Sequence, residues 1–310
     1  MRIVISEFMD EAAVAALASR HATVYDASLV DSRDELAARL ADADALIVRN
    51  RTQVDAGLLA AAPRLRVVGR LGVGLDNIDV SACKARGIAV IPATGANALA
   101  VAEYVIGVAM VLLRGAYFAT TEVAAGKWPR AALSSGREIA GKTLGIVGFG
   151  GIGRLTARLG RALGMRVIGF DAQVGPGHAA WGEEGVEPHA FDALLAQSDV
   201  VTLHVPLVPA TRNLIDAKRI AAMKPGAILV NTARGGVVDE SAVAAALVAG
   251  RLGGAALDVF EKEPLPAGSP LAGCPNLILT PHIAGVTTES NERVSSMIAE
   301  KVIEALAARA

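Results

Sequence analysis

The stretch Thr143-Leu-Gly-Ile-Val-Gly-Phe-Gly-Gly-Ile-Gly-Arg154 decides the fold. Thr143–Val147 is a short apolar run that reads as a buried strand. Gly148, Gly150 and Gly153 follow in GxGxxG spacing and open a helix over Leu155–Leu163. In that setting the first glycine permits a tight turn, the second lets backbone approach a pyrophosphate, and the third lets helix and strand pack closely. The helix N-terminus then offers free N–H groups and a positive dipole end to the phosphates. The spacing alone is weak, because glycines are common in turns; its surroundings strengthen it. The next strand, Arg166–Phe170, ends in Asp171, 18 residues beyond Gly153. An acid there can accept hydrogen bonds from an adenosine ribose. Ala172 and Gln173 follow with no arginine to greet a 2′-phosphate, so NAD is favoured over NADP.

Outward from this unit the pattern repeats. Upstream, Ile3–Ser6, Ala45–Val48, Val67–Gly69 and Ile88–Ile91 read as strands, with helical stretches at Glu11–Arg20, Arg33–Leu40 and Ser81–Arg86. Downstream, the strand candidates are Val200–His204, Ala227–Asn231, Ala255–Val259 and Leu277–Thr280. Several are apolar on both pleat faces, as expected of strands covered by helices on each side. Alternating strands and helices of this size predict βαβ units and parallel sheets. The Gly/Pro-containing stretch Gly175–Pro188 reads as a surface connection.

Composition agrees and excludes other classes. The 310 residues are 53% hydrophobic and 20% charged, too apolar for a disordered chain. The 30 basic and 31 acidic residues leave a formal charge of −1, without the basic excess of a general nucleic-acid binder. This length gives two domains as the starting expectation. Cys83 and Cys274 are the two cysteines; they make no disulfide framework and no zinc motif, so no metal site is expected. The N-terminus MRIVISEFMDE meets acids too early for a signal peptide. The longest apolar run, Val105–Leu113, lies between Glu103 and Arg114 and is far short of the roughly 20 residues of a membrane span. A cytoplasmic protein without membrane attachment is expected.

In open α/β sheets, ligands bind outside the carboxyl ends of the strands. Three such ends carry unusual residues. Ala227–Asn231 runs into Thr232-Ala233-Arg234-Gly235-Gly236, Ala255–Val259 into Phe260-Glu261-Lys262-Glu263-Pro264, and Leu277–Thr280 into Pro281-His282-Ile283-Ala284-Gly285. An arginine, a glutamate and a histidine can therefore converge. The set suits hydride transfer to a 2-oxo acid. Charge building on the carbonyl oxygen needs a proton donor, commonly histidine. A carboxylate beside the imidazole favours its protonated form. A planar guanidinium can grip the substrate carboxylate. Taken singly, each residue has a plainer reading: a capping arginine, a loop acid, a structural histidine.

These motifs resemble the D-isomer-specific 2-hydroxyacid dehydrogenases, most closely the D-3-phosphoglycerate dehydrogenase-like branch without C-terminal regulatory domains. The carrying segments are Gly69–Asp79, Gly145–Arg154, Asn231–Glu240, Gly254–Pro264 and Pro281–Gly285. The resemblance implies two Rossmann-like/flavodoxin-like, doubly wound parallel-sheet α/β domains with an interdomain cleft. A substrate domain would span 1–97 plus 285–310, and an inserted NAD-binding Rossmann domain 98–284. It makes Arg234, Glu263 and His282 the catalytic residues. It places Gly148, Gly150, Gly151, Ile152, Gly153, Asp171, His204, Val205, Pro206, Thr232, Ala233, Asp258, Ala284 and Gly285 around the cofactor. Val73 and Gly74 match backbone N–H groups that hold the substrate carboxylate, and Asn97 lies in the Thr-Gly-x-Asn crossing between domains. Ala100 stands where relatives often carry serine. The helix around Val105–Leu113 would lie at a homodimer interface.

The substrate's carbon-3 group remains open. Arg49 and Arg51 follow the strand Ala45–Val48, and Arg70 follows Val67–Gly69. Arg49 and Arg70 match phosphate-contacting positions of phosphoglycerate dehydrogenases. Guanidinium groups gathered there predict a second substrate anion. The expectation placed first is 3-phosphoglycerate and 3-phosphohydroxypyruvate. The alternatives are (S)-sulfolactate, a generic hydroxypyruvate or glyoxylate reductase, and a non-enzymatic NAD-binding corepressor-like protein.

Overall fold

The computed structural model of the chain describes residues 1–308. It divides into two compact units, Met1–Asn97 joined by the segment from Val286, and Ala98–Gly285.

The first unit begins with β1 (Arg2–Ile5), α1 (Glu11–Ala18), β2 (Ala22–Tyr25), α2 (Arg33–Leu40), β3 (Ala45–Val48), α3 (Ala56–Ala60), β4 (Val67–Arg70), α4 (Val80–Ala85) and β5 (Ala89–Pro92). The strands form one parallel sheet in the order β2-β1-β3-β4-β5, a doubly wound arrangement. Alternation along the strands splits the core in two. Ile3, Ile5, Ala45 and Ile47 enter one buried cluster, while Val4, Leu46 and Val48 enter the other. Helix starts are set locally: the Asp10, Asp55 and Asp79 side chains accept N–H groups of the first turns of α1, α3 and α4.

The second unit contains α5 (Ala98–Arg114), α6 (Thr120–Ala124), β6 (Thr143–Val147), α7 (Gly151–Ala162), β7 (Arg166–Phe170), α8 (Ala179–Glu184), β8 (Glu187–Pro188), α9 (Phe191–Gln197), β9 (Val200–Leu203), α10 (Ala217–Ala222), β10 (Ala227–Asn231), α11 (Glu240–Val248), β11 (Leu252–Leu257) and β12 (Leu277–Leu279). Its seven strands run in the order β12-β11-β10-β9-β6-β7-β8. All the recorded pairings are parallel. The winding reverses between β6 and β9, the place where such sheets bind nucleotides. The first unit recovers one more element, α12 (Thr288–Ala307), whose Val294, Ile298 and Val302 join Ile3, Ile47 and Val67 in one buried cluster. A Cβ at Gly69 of β4 would stand 2.8 Å from Ile298, so glycine there admits the helix. Among the described residues no single helix is long and apolar enough to cross a membrane.

The two parallel α/β sheets agree with the sequence reading, and several details correct it. Gly175–Pro188 is more than a surface connection. It contains α8, whose Trp181 is buried, stacks on Phe149 at 4.0 Å and donates through Nε1 to Gly175 O. The glycines and proline that flank this turn hide a helix too short to show a period. Strand β2 had no expected counterpart. Its residues are only half-buried or exposed, so its apolar signal is weak. Strand β11 starts at Leu252, earlier than Ala255, because Gly253 and Gly254 carry it without apolar side chains.

Candidate active site

Neighbouring strands of the second unit bring the three polar segments to one edge. Asn231 pairs with Leu257 and Leu257 with Leu279, so β10, β11 and β12 end together. Beyond β12, His282 Nδ1 lies 2.8 Å from Glu263 Oε2. Glu263 Oε1 accepts the Phe260 N–H at 3.1 Å, which fixes the carboxylate on its own loop. Both side chains keep about a third of their surface open, 39% for His282 and 35% for Glu263. The Nδ1 contact leaves Nε2 free for proton transfer.

His282 adopts φ +58°, a left-handed conformation that histidine tolerates better than most residues. Asp258, buried at the end of β11, holds that bend. Its Oδ1 accepts the Thr280 hydroxyl at 2.6 Å and the Ile283 N–H at 2.8 Å, and its Oδ2 accepts the Ala284 N–H at 2.8 Å. The His282 N–H itself donates to Asp258 O at 2.8 Å. Tyr104 of α5 shares a 2.6 Å hydrogen bond with the Thr280 hydroxyl. Burial raises the Tyr104 pKa, the Thr280 bond opposes the rise, and the nearby Asp258 charge adds to it. Thr280 and Tyr104 carried no sequence signal; they complete the support of the histidine loop.

Arg234 stands on a turn built by a residue the motif reading passed over. Asn231 Oδ1 accepts the Ala233 N–H at 3.0 Å and Nδ2 donates to Arg234 O at 3.0 Å. Arg234 Nη1 donates to Ala233 O at 2.6 Å. A Cβ on Gly235 would overlap the Phe260 carbonyl. The arginine turn and the segment leading to Glu263 are therefore pressed backbone to backbone, and glycine permits it.

The glycine-rich turn shows a cradle for a dinucleotide. Gly148 has φ +98°, and a Cβ there would collide with His204 O, so the ends of β6 and β9 touch at the reversal of the winding. A Cβ on Gly153 would overlap Gly148 O, which closes α7 onto the turn. At Gly150 and Gly151 a Cβ would meet nothing within 4 Å, which leaves open room before the first turn of α7. Asp171 Oδ2 accepts the Phe149 N–H at 2.7 Å, and Oδ1 accepts the Gln173 N–H at 2.7 Å. It shapes the loop as well as standing where a ribose acid is expected. The Thr232 hydroxyl is buried with no hydrogen-bond partner among the described residues, a polar group awaiting a ligand. His204, Val205 and Pro206 follow β9 at the same edge. Burial pushes the His204 imidazole down to about 3, and its Nε2 shares a 3.1 Å hydrogen bond with Thr202. The residues present fit NAD. A separate cavity of about 420 Å³, lined by Arg114, Arg137, Gly226 and Asn276 among others, lies at the opposite, amino ends of β10–β12.

In the first unit, register sets Val48 of β3 beside Arg70 of β4, so Arg49 follows one residue further along. Arg49 Nη2 donates to Asn291 Oδ1 of α12 at 2.5 Å, and its Cζ lies 5.7 Å from the Phe8 ring centroid. Burial lowers the Arg49 pKa, and the Glu7 charge opposes that shift. Arg70 Nη1 donates to Leu71 O at 3.0 Å. Arg51 behaves differently: it is ion-paired with Asp31, and both side chains are more than half exposed. Val73 and Gly74 lie in the turn after β4. Asn97 closes this unit's first segment, and its Oδ1 is buried without a partner among the described residues.

The family model described as "D-isomer specific 2-hydroxyacid dehydrogenase, NAD binding domain" matches residues 106–284. The chain is 56% identical over 309 residues to a protein named (S)-sulfolactate dehydrogenase from Chromohalobacter salexigens, covering 99% of both. It is 42% identical over 307 residues to a D-3-phosphoglycerate dehydrogenase of Mycobacterium leprae, covering 98% of this chain and 57% of that one. It thus spans little more than half the length of that relative. Among solved structures, the TT0316 protein from Thermus thermophilus superposes with a TM-score of 0.89 at 33% identity, over 99% of this chain and 97% of the other. The chain belongs to the D-isomer-specific 2-hydroxyacid dehydrogenase family. It is an NAD-dependent oxidoreductase that acts on a CH–OH group, and its substrate is a small 2-hydroxy or 2-oxo acid.

Proposed function

We propose that the enzyme interconverts (S)-3-sulfolactate and 3-sulfopyruvate. The observation that carries this reading is the 56% identity, end to end on both chains, with the protein named for that substrate. Sulfonate thereby displaces the phosphate placed first by the sequence. Arg49 and Arg70 stand at neighbouring strand ends, and Arg51 is ion-paired with Asp31. Stereochemistry is also consistent. A sulfomethyl group outranks carboxylate in the naming rules, whereas a methyl group does not, so the (S) descriptor denotes the D arrangement.

The residues divide the work as follows. Val73 and Gly74 N–H groups and Arg234 hold the C1 carboxylate, and Arg234 polarises the C2 carbonyl. NADH, when bound, would supply the hydride for C2. His282 Nε2 delivers a proton to the C2 oxygen as charge builds there. Glu263 orients the ring through Nδ1 and stabilises the imidazolium from which that proton leaves. In the oxidation direction the same nitrogen takes the hydroxyl proton back. Gly148, Gly150, Gly151, Ile152, Gly153 and Asp171 would hold the nucleotide, with His204-Val205-Pro206 toward its adenine. Thr232, Ala233, Asp258, Ala284 and Gly285 would line the nicotinamide end of the site.

The test is NADH oxidation against 3-sulfopyruvate, 3-phosphohydroxypyruvate, hydroxypyruvate and glyoxylate. The highest kcat/KM is expected for 3-sulfopyruvate. A preference for phosphohydroxypyruvate would return the assignment to phosphate. Similar weak rates on all four would leave a general 2-oxo acid reductase. The enzyme is also proposed to work as a homodimer built on α5 and the segment after it. Leu99, Met110, Tyr117, Phe118, Val123 and Trp128 are exposed there, Trp128 by 79%. Sedimentation equilibrium should give twice the chain mass; a monomer would remove this part of the reading.

A further inference from the structure

The Arg49–Thr52 segment is gripped from below by one carboxylate. Glu7, just past β1 and 5% exposed, accepts four successive backbone N–H groups. Its Oε1 takes those of Arg49 at 2.8 Å and Thr52 at 2.9 Å; its Oε2 takes those of Asn50 at 3.3 Å and Arg51 at 3.1 Å. A buried carboxylate without partners is costly, and here the loop itself satisfies it. The carbonyls are held as well. Asn77 Nδ2 donates to Thr52 O at 2.7 Å and Arg49 O at 3.3 Å, and the Ser6 and Thr52 hydroxyls share a 3.0 Å hydrogen bond. The backbone and the Thr52 side chain are committed inward, while Asn50 and Arg51 are exposed and Arg49 is half-buried. The Arg49 fork is then steered by Asn291 and Phe8.

We propose that Glu7 is a positioning residue that sets selectivity for substrates with a second anion on carbon 3, by folding the Arg49–Thr52 segment into a preorganised anion receptor. This rests on the reading that such an anion is bound by Arg49. Glu7 is buried beneath the segment and acts through it. A receptor whose guanidinium position is fixed beforehand loses less freedom on binding. Glutamine at position 7 offers one acceptor oxygen where the carboxylate offers two, and it turns an amide N–H toward the loop's own N–H groups.

The test compares kcat/KM for 3-sulfopyruvate with that for hydroxypyruvate, which has the same backbone and no carbon-3 charge. Wild type, Glu7→Gln, Glu7→Asp and Asn77→Ala would be measured, with thermal melts of each. Glu7→Gln should lower the sulfopyruvate-to-hydroxypyruvate ratio by about tenfold or more, mainly through KM for sulfopyruvate. Glu7→Asp keeps the charge and should recover part of the ratio. Asn77→Ala loosens the same loop from the other side and should shift the ratio in the same direction; it carries the test if Glu7→Gln does not fold. In an Arg49→Ala background, Glu7→Gln should change the ratio no further, because both act on one contact. If the two substrates lose efficiency in parallel in Glu7→Gln and Asn77→Ala, Glu7 is a packing residue and the proposal fails. If wild type itself shows no preference for the anionic substrate, the carbon-3 reading falls and this one falls with it. A preference that survives in the variants overturns only the role of Glu7.

Discussion

His282 combines a reactive ring with a backbone conformation few residues accept, and the two can be separated by substitution. Asparagine also tolerates φ near +58° but cannot donate a proton as imidazolium does. His282→Asn should cut kcat by about 10²–10⁴-fold while NADH affinity, read by fluorescence titration, stays close to wild type. A parallel fall in NADH affinity would make the histidine structural. His204 shows the opposite use of the same side chain. Folded, it stays neutral down to about pH 3, whereas an exposed imidazole titrates near 6.5. Between those values the unfolded chain binds the extra proton, so stability is full above pH 6.5 and is lost as pH falls toward 3. The residue retains some exposure, so the effect between pH 7.5 and 5 is set at about 1 kcal/mol. His204→Gln should show a shallower decline of Tm over that interval; an unchanged slope would place the acid sensitivity elsewhere. His282 and His204 were both legible because each follows a strand in a recognisable motif. Glu7 was not, because its partners lie 42 to 45 positions along the chain and only the fold joins them.

At the scale of elements, glycines separate contact from room. A Cβ at Gly235 would press on the backbone carbonyl of Phe260, which cannot swing aside as a flexible side chain can. Gly235→Ala should destabilise the chain by about 1–3 kcal/mol and lower kcat further by shifting the Arg234 turn. Gly150 caps α7 with nothing near its missing Cβ, and its φ of −77° suits alanine. Gly150→Ala should move stability by only a few tenths of a kcal/mol while weakening NADH binding, because its methyl group enters the pyrophosphate's space. Calorimetry beside NADH titration reads both; a large loss of Tm in Gly150→Ala would mean the space is already filled. The same logic explains what the element reading caught. Apolar runs such as Ala45–Val48, and Ala227–Asn231 up to its last residue, declared themselves, since every residue in them is buried. Strand β2 pairs along one edge with β1 and buries little, so tertiary pairing made a strand where composition offered a weak signal.

For the whole molecule, the α/β class followed from alternation, and the two sheet orders did not. Order depends on which strands meet after the crossovers, and periodicity carries no record of that. One arginine of the expected three is held by Asp31, a contact that only the fold makes and that the sequence could not show. Chain connectivity has a further consequence, for synthesis. Helix α12 completes the core of the first unit, yet 188 residues, 98 through 285, intervene before it. At roughly 5–20 residues per second a ribosome needs about 10–40 s to make them. Throughout that time the β-sheet face of Ile3, Ile47 and Val67 lacks the cover of Ile298 and Val302. The second unit is continuous and can close as it emerges. Released chains truncated just before Thr288 should therefore resist protease over 98–285 and be cut readily over 1–97. Equal protection of both would mean the first unit matures without its helix. The helix made after the second unit is thus the latch of the sheet made before it, and the emerging protein passes through an interval in which chaperones have a defined surface to guard.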